Sequence, residues 1–268
     1  MLMPPVTRRI AVILMAWLLV PGVSLAQAVE EDDAETIVSA GRSRQRVRAD
    51  TDQAAQQIVD ATNRFRKQEG LQAVSIDPEL AQAARDFAGY MARTNKYGHT
   101  ADGQRPAERA SQHGYEYCIV LENIAYQYSS AGFPTDQLAT RFVQGWKDSP
   151  GHRKNMLDPD VTQTGVGVAH SEESGVYYAV QMFGRPQSER FEFQVVNRSD
   201  ETVEYTIGKR TIPLPPRATV THQRCRPSQL IFQGSDDSKP QPAKVNPEPG
   251  SKLIVQRGPS GELQVIGQ

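Results

Sequence analysis

The most informative stretch of this sequence is residues 146–157, which read WKDSPGHRKNML. It follows residues 135–146, whose apolar side chains recur at three- and four-residue spacing, as on one face of a helix. We expect Ser149 and Pro150 to end that helix, because proline has no backbone N–H and its ring clashes with the preceding turn. Ser149 also stands three residues before His152, but we interpret it first as a helix stop and not as a nucleophile beside its base.

Three further helices are predicted upstream of this stretch. Residues 52–70 repeat apolar side chains at helical spacing and end at a glycine. A second helix is expected to begin at Asp77, whose carboxylate can accept hydrogen bonds from the free N–H groups of the first turn, with Pro78 inside that turn. Residues 106–112 are predicted to form a third, shorter helix that Gly114 closes.

Strands are predicted between and after the helices. Residues 123–128 form a short strand, and residues 165–170 and 176–183 form two clear β runs joined by a polar turn, which predicts an antiparallel hairpin. Helices followed by paired strands favour an α+β or three-layer domain over a parallel βαβ fold. Gly165 and Gly167 do not indicate a dinucleotide loop, because they lie inside a strand and open no helix.

The C-terminal part of the chain has a different composition. Residues 187–234 contain short alternating runs of apolar and polar side chains among several prolines, which predicts a small all-β module. Residues 235–268 are predicted to be a Pro-rich tail. Two interpretations of its end stay open: a terminal hairpin of residues 252–256 and 262–266 that is added to the β module, and a disordered tail.

The N-terminus has the pattern of an export signal. Two arginines precede an apolar run, residues 10–20, and the small residues Ala26 and Ala28 form a cleavage pattern. The run is shorter than the ~20 residues that a membrane-spanning helix needs, so we predict a signal peptide over residues 1–28 and no membrane span after its cleavage. The protein is therefore expected to be exported, either periplasmic or secreted, with residues 29–50 as a charged linker.

Charge and cysteine content limit the partners and the compartment. The 268 residues include 30 Lys and Arg against 31 Asp and Glu, and the net charge of -1 offers no basic excess for nucleic acid. Cys118 and Cys225 are the two cysteines of the chain. In an oxidising compartment they can form a disulfide between the middle and the C-terminal region, or they can remain two separate buried thiols. Both alternatives stay open at this point.

Several motifs together resemble the bacterial branch of the CAP superfamily (cysteine-rich secretory, antigen 5 and pathogenesis-related type 1). The matching pieces occur in the family's order: residues 63–66, 98–103, 122–125, 146–157, 165–168 and 177–184. They extend over about half of the chain, and the run Ser-Pro-Gly-His-Arg-x-Asn is the most specific of them. The resemblance implies a three-layer α-β-α sandwich over residues 51–186, with a cleft open to solvent.

In that family two histidines and one or two acids face the cleft and can bind a divalent metal. By motif these residues are His99, His152 and Glu122 here, and Ser149 stands where many members have a second acid. Two imidazoles and one carboxylate have the chemistry of a catalytic zinc site, in which the fourth position is open for water. The competing interpretation is that they stabilise the cleft through hydrogen bonds. The residues expected to support the cleft are Asn63, Arg64, Asn123 and Ser149.

Three functions are compatible with these motifs. We expect a non-enzymatic, extracytoplasmic binding module that holds a lipid, peptide or glycan in the cleft, because the sequence contains no nucleophile motif. The first alternative is a zinc-dependent hydrolase or peptidase that uses His99, His152 and Glu122. The second alternative is a structural scaffold associated with an envelope component, which the β module and the Pro-rich tail would suit.

Overall fold

The computed structural model describes residues 46–232, 243–259 and 261–268. The predicted signal peptide, residues 1–28, and most of the predicted linker lie outside these ranges, so both stay predictions. Within the described ranges, no helix has both the length and the apolar composition that a bilayer span requires.

The α/β lobe, residues 51–186, consists of a four-stranded sheet between two helical layers. Its elements are α1 (Thr51–Gln68), β1 (Ser75–Ile76), α2 (Pro78–Thr94), α3 (Pro106–Gln112), β2 (Tyr117–Tyr128), α4 (Thr135–Asp148), α5 (Pro150–Met156), β3 (Gln163–His170) and β4 (Val176–Pro186). The strand order is β1-β3-β4-β2, with β1 parallel to β3 and the other pairs antiparallel. Helices α1 and α4 pack on one face of the sheet, and α2 and α3 pack on the other. The predicted α+β class and three-layer α-β-α sandwich are confirmed.

Local signals begin and end the helices close to where the sequence predicts. The Asp77 carboxylate accepts hydrogen bonds from Glu79 N (3.0 Å) and Leu80 N (2.9 Å), which satisfies two free amides at the start of α2. Helix α4 ends before Pro150 as expected, but the chain then starts α5 at Pro150. Proline suits the first position of a helix, because the N–H group that it lacks would have no partner there. Strand β2 begins at Tyr117, earlier than predicted, because it pairs with β4 along that whole strand.

Two glycines allow α2 to lie directly on strand β3. A Cβ atom added to Gly165 would overlap the backbone of Ala81, and one added to Gly167 would overlap the backbone of Arg85. Neither backbone segment can move away without opening the core between α2 and the sheet, which is packed as densely as an organic crystal. These glycines therefore serve helix–sheet packing.

Gly167→Ala is expected to lower the free energy of unfolding by about 1–3 kcal/mol, because the added methyl group overpacks the contact between α2 and β3. Gly145→Ala is the matched control. Gly145 lies in α4 with no atom within 4 Å of an added Cβ, so this change should stabilise the protein by about 0.5–1 kcal/mol. Urea denaturation followed by circular dichroism measures both, and equal stability of the two variants would contradict the packing role of Gly167.

The β lobe, residues 191–268, is a sandwich of two four-stranded sheets. Its described strands are β5 (Phe191–Asn197), β6 (Val203–Ile207), β7 (Arg210–Leu214), β8 (Thr219–Arg224), β9 (Leu230–Phe232), β10 (Ala243–Val245), β11 (Lys252–Arg257) and β12 (Leu263–Gly267). One sheet has the order β10-β9-β6-β7 and the other β12-β11-β5-β8. Apolar side chains from both sheets form a single core.

The C-terminal end of the chain forms a hairpin that is added to the β lobe, which is the first of the two interpretations. Strands β11 and β12 form the terminal hairpin that was one of the two interpretations, but β11 also pairs in parallel with β5. The segment after residue 243 is therefore part of the β lobe and not a separate tail. The sequence does not reveal which strand the hairpin joins, because a parallel pairing connects segments that are far apart in the chain and carries no local turn signal.

A disulfide and a cluster of ion pairs join the two lobes. Cys118 on β2 and Cys225, directly after β8, form a disulfide with a Cα–Cα distance of 5.4 Å. Beside it, Arg226 pairs with Asp158 (2.8 Å) and Asp160 (2.7 Å), which precede β3. Of the two alternatives for the cysteines, the structure thus contains the paired one.

The last residues of the predicted linker contact the α/β lobe. Val47 N donates to Ala131 O (2.9 Å), and Phe133 N donates to Val47 O (2.9 Å). Gly132 has a φ of +77°, and a Cβ atom at this position would overlap the Val47 carbonyl group. The contacts of the lobe therefore begin before residue 51, the predicted start of the domain.

Candidate functional site

The candidate site lies around strand β2, which is an edge strand of the sheet. Neighbouring residues of a strand point to opposite faces, so Glu122 points toward α3 and Asn123 points toward α5. The loop after α2 carries His99, and α5 carries His152. These two segments therefore approach β2 from opposite faces of the sheet.

Side chains cover the free backbone edge of β2 at this site. Asn155 Nδ2 donates to Glu122 O (3.1 Å). Trp146 Nε1 and Tyr97 Oη both donate to Ile124 O, each at 3.2 Å. Uncovered carbonyl groups at a sheet edge would be available to another strand. Trp146 and Asn155, which both belong to the stretch of residues 146–157, thus hold α4 and α5 against β2.

Arg109 on α3 is the centre of a buried charge network that the sequence did not predict. Its side chain is 3% exposed and pairs with Glu122 Oε2 (2.6 Å) and Asp102 Oδ1 (2.9 Å). The same guanidinium donates to His99 O (2.9 Å) and Gln104 O (2.8 Å). One buried side chain therefore fixes the loop that carries His99 relative to strand β2.

No pattern in the sequence of α3 distinguishes Arg109 from its neighbour Arg105. Arginine is mostly exposed in proteins, and Arg105 follows that rule, with its side chain 76% exposed. Arg109 instead lies 3.6 Å from the centre of the Phe87 ring, in a cation–π contact inside the core. Its role depends on residues from three separate segments, which only the tertiary structure brings together.

Both carboxylate oxygens of Glu122 are engaged in short polar contacts. Oε2 accepts a hydrogen bond from Arg109, and Oε1 lies 2.8 Å from His99 Nδ1. The Glu122 side chain is 1% exposed, whereas that of His99 is 50% exposed. Because His99 Nδ1 donates to the carboxylate, the neutral ring carries its lone pair on Nε2. His99 thus offers one nitrogen to a ligand, and Glu122 offers no free oxygen.

His152 supplies a second imidazole, which is partly buried. Burial lowers the pKa of His152, and the nearby charge of His99 lowers it further. At neutral pH the His152 ring is therefore mainly uncharged. Asn123 Nδ2 donates to His152 O (3.2 Å), and Asn155 Nδ2 donates to Asn123 Oδ1 (3.0 Å). These two amides hold α5, and with it His152, in place beside β2.

The three residues implied by the resemblance do not fit a zinc site. Glu122 has no free oxygen, because Arg109 and His99 occupy both. Within the described ranges, no group of three His, Cys, Asp or Glu side chains is placed to hold a metal ion. The two imidazoles alone fall short of the three protein ligands that a catalytic zinc site takes.

Residues 59–183 match the model of the CAP family, described as the cysteine-rich secretory protein family. This range contains Arg109, Glu122 and both cleft histidines. Residues 59–183 form a CAP domain. The resemblance that the motifs indicate is therefore confirmed.

Three bacterial proteins are similar to part of this chain. The chain is 33% identical over 129 residues to the uncharacterized protein YkwD of Bacillus subtilis, which covers 48% of this chain and 46% of that protein. It is 34% identical over 113 residues to the uncharacterized membrane protein YlbC of the same organism, over 42% of this chain and 30% of that protein. The match thus spans less than half the length of either relative. An extracellular protein containing an SCP domain from Bacillus anthracis is 29% identical, with a TM-score of 0.43 over 50% of this chain and 41% of that one.

Two of the residues predicted to support the cleft lie elsewhere in the CAP domain. Asn63 on α1 bonds to both backbone groups of Val74, with Nδ2 to the carbonyl and Oδ1 to the amide, each at 2.9 Å. Arg64 is exposed. The buried arginine of this motif is Arg66, which donates to Met156 O (2.8 Å). Asn63 therefore holds α1 to the segment after it, and Arg66 holds α1 to the end of α5, the helix that carries His152.

Ser149 lies at the junction of α4 and α5. Its backbone N donates to Trp146 O (3.3 Å), and its carbonyl accepts from Arg153 N (2.8 Å). The Ser149 hydroxyl caps neither helix, and within the described ranges it forms no hydrogen bond with His152. The expected helix stop is thus present, and no activated nucleophile accompanies it.

Proposed function

We propose that this protein is an exported, non-enzymatic binding module that holds its ligand in the CAP cleft between His99 and His152. The observation that carries the proposal is the engagement of Glu122, whose two carboxylate oxygens contact Arg109 and His99. A general base needs a free lone pair within reach of the proton that it removes. Each Glu122 oxygen already has a partner, and the side chain is 1% exposed, so the carboxylate is closed to a substrate that approaches from solvent.

The remaining cleft groups suit binding. His99 presents Nε2 on a half-exposed ring, and His152 presents a ring that is mainly uncharged at neutral pH. A neutral imidazole can donate one hydrogen bond and accept another, so it can orient a polar ligand without adding charge. The buried network behind His99 keeps this geometry in place before the ligand arrives, which reduces the entropy cost of binding.

Export is supported by the disulfide as well as by the N-terminal pattern. Disulfides persist in oxidising compartments and are rare in the cytosol. Cys118 and Cys225 are paired across a sequence separation of 107 residues, so this cross-link is a large constraint on the whole chain. We therefore place the protein in the periplasm or outside the cell, with a lipid, peptide or glycan as its ligand.

The catalytic half of the proposal is tested on the oxidised, exported chain. Hydrolysis of a peptide panel and an ester panel is measured with and without added Zn²⁺, and no turnover above the buffer blank is expected. Turnover that disappears in His152→Ala would overturn the proposal in favour of the zinc hydrolase. Zinc is also titrated into the protein by calorimetry. No zinc site that depends on both histidines is expected, so any zinc binding of the wild type should remain in His99→Ala, in His152→Ala or in both.

The binding half is tested by identifying what the protein retains. Ligands that co-purify are extracted and identified by mass spectrometry in the wild type, in His152→Ala and in His170→Ala, whose histidine ends strand β3. The ligand is expected in the wild type and in the His170 variant, and it should be depleted in the His152 variant. A wild-type protein that holds no lipid, peptide or glycan would contradict the binding module and leave the scaffold interpretation.

A further inference from the structure

Three exposed tyrosines form a strip beside the cleft. Tyr126 and Tyr128 lie on β2 with side chains on the same face as Glu122, because alternate residues of a strand share a face. Each is 56% exposed, and Tyr97, in the loop that carries His99, is 46% exposed. The tyrosine strip, Tyr97, Tyr126 and Tyr128, therefore extends from the cleft along the outer strand of the sheet.

Two of the three rings, those of Tyr97 and Tyr126, are held in place before any ligand binds. Tyr97 Oη donates to Ile124 O (3.2 Å), which fixes this ring against β2. The rings of Tyr97 and Tyr126 are 5.0 Å apart at an angle of 80°, in an edge-to-face contact. Tyr178 lies behind them, with its ring 6.5 Å from that of Tyr126. Fixed aromatic rings offer contact area at a low cost in side-chain entropy.

Polar groups lie beside Tyr178, next to the strip. Tyr178 Oη donates to Asn95 Oδ1 (3.4 Å), and Ser174 Oγ donates to the same oxygen (2.8 Å). Asn95 Nδ2 in turn donates to Glu173 Oε2 (3.4 Å). The surface thus combines flat aromatic faces with an amide, hydroxyl groups and a carboxylate. These are groups that exchange hydrogen bonds with hydroxyl-rich ligands.

We propose that the tyrosine strip binds the sugar rings of a β-linked glycan chain. Sugar rings with equatorial substituents expose flat C–H faces that pack on aromatic rings, while their hydroxyl groups lie at the rim, where Asn95, Ser174 and Glu173 stand. The strip would then extend the contact from His99 along the chain of sugars. This inference rests on the proposed binding function and names the ligand class that the site takes.

A membrane surface fits the strip less well. Among the described residues, the exposed large apolar side chains are four tyrosines, two isoleucines and one valine, and no Trp, Phe or Leu is among them. Surfaces that insert into a bilayer use Trp, Phe and Leu beside Lys and Arg. Glu173, which lies at the rim of the strip, would instead be repelled by anionic lipid headgroups.

The test measures binding of tetra-N-acetylglucosamine and cellotetraose to the oxidised chain by calorimetry. Tyr126→Ala/Tyr128→Ala is expected to weaken the affinity by about 5- to 150-fold, because two aromatic contacts with the sugar rings are lost. Tyr126→Phe/Tyr128→Phe should bind within about threefold of the wild type, since the ring faces remain. Tyr117→Ala is the matched control, because Tyr117 is an exposed tyrosine at the other end of β2 and should leave the affinity unchanged.

Three binding results would overturn the inference. The first is a wild-type chain that binds neither tetrasaccharide. The second is an alanine double variant that binds both tetrasaccharides with the affinity of Tyr117→Ala. The third is binding to vesicles of phosphatidylethanolamine and phosphatidylglycerol that the alanine double variant loses, because this would make the strip a membrane contact. If His152→Ala loses the co-purified ligand while the tyrosine variants retain it, the proposed function stands and the glycan strip alone is wrong. Thermal unfolding of each variant establishes that the fold is intact.

Discussion

Arg109→Leu is expected to lower the free energy of unfolding by about 3–5 kcal/mol, because it leaves two carboxylates without their cation in the protein interior. Arg109 is 3% exposed and pairs with Glu122 at 2.6 Å and with Asp102 at 2.9 Å. The variant also loses the hydrogen bonds that connect α3 to the loop around His99. Urea denaturation followed by circular dichroism at pH 7 measures the loss.

Arg105→Leu is the matched control for this prediction. Arg105 begins the same helix and pairs with Glu108 at 2.7 Å, but its side chain is 76% exposed. Water and salt screen such a pair, so its removal should change the unfolding midpoint only slightly. If both variants lose the same stability, the buried network is not what holds this part of the CAP domain together.

Removing the disulfide by Cys118→Ser/Cys225→Ser is expected to cost about 2–5 kcal/mol. The two cysteines are separated by 107 residues, and cross-linking a loop of that length removes many conformations from the unfolded chain. The ion pairs of Arg226 with Asp158 and Asp160 remain in the variant, so the lobes keep a noncovalent contact. Urea denaturation of the variant and of the wild type, both without reductant, measures the difference.

Reduction provides the control for the disulfide. Dithiothreitol should lower the stability of the wild type toward that of the double variant and should leave the double variant unchanged. A wild type whose unfolding midpoint matches that of the double variant, in the presence and absence of reductant, would show that the cross-link contributes nothing to stability.

Much of the secondary structure was predictable, because its signals are local. Asp77 caps α2 through bonds to residues two and three positions ahead, and the proline at the start of α3 marks that helix in the same way. Helix α5 was not predicted, because Pro150 is compatible both with ending one helix and with starting the next. Only the packing of α5 on β2 decides between the two.

The candidate site was predictable in part. His99, Glu122 and His152 were assigned through the family resemblance, and the structure places both histidine-bearing segments around β2. The role of Glu122 was not predictable, because its partner Arg109 lies in a short helix without any distinguishing pattern. Asn63 was assigned to the cleft by its motif, yet its side chain bonds to Val74 in the segment after α1.

The sequence by itself determined two features of this protein. The stretch of residues 146–157 predicted the helix that ends within it, and the ordered motifs predicted the family to which residues 59–183 belong. These features depend on neighbouring residues and on the order of motifs along the chain. The tertiary structure alone decided that Arg109 pairs with Glu122 and that β11 pairs with β5 in the β lobe. Both depend on contacts between distant segments, whose energies come from burial and pairing that no local pattern encodes.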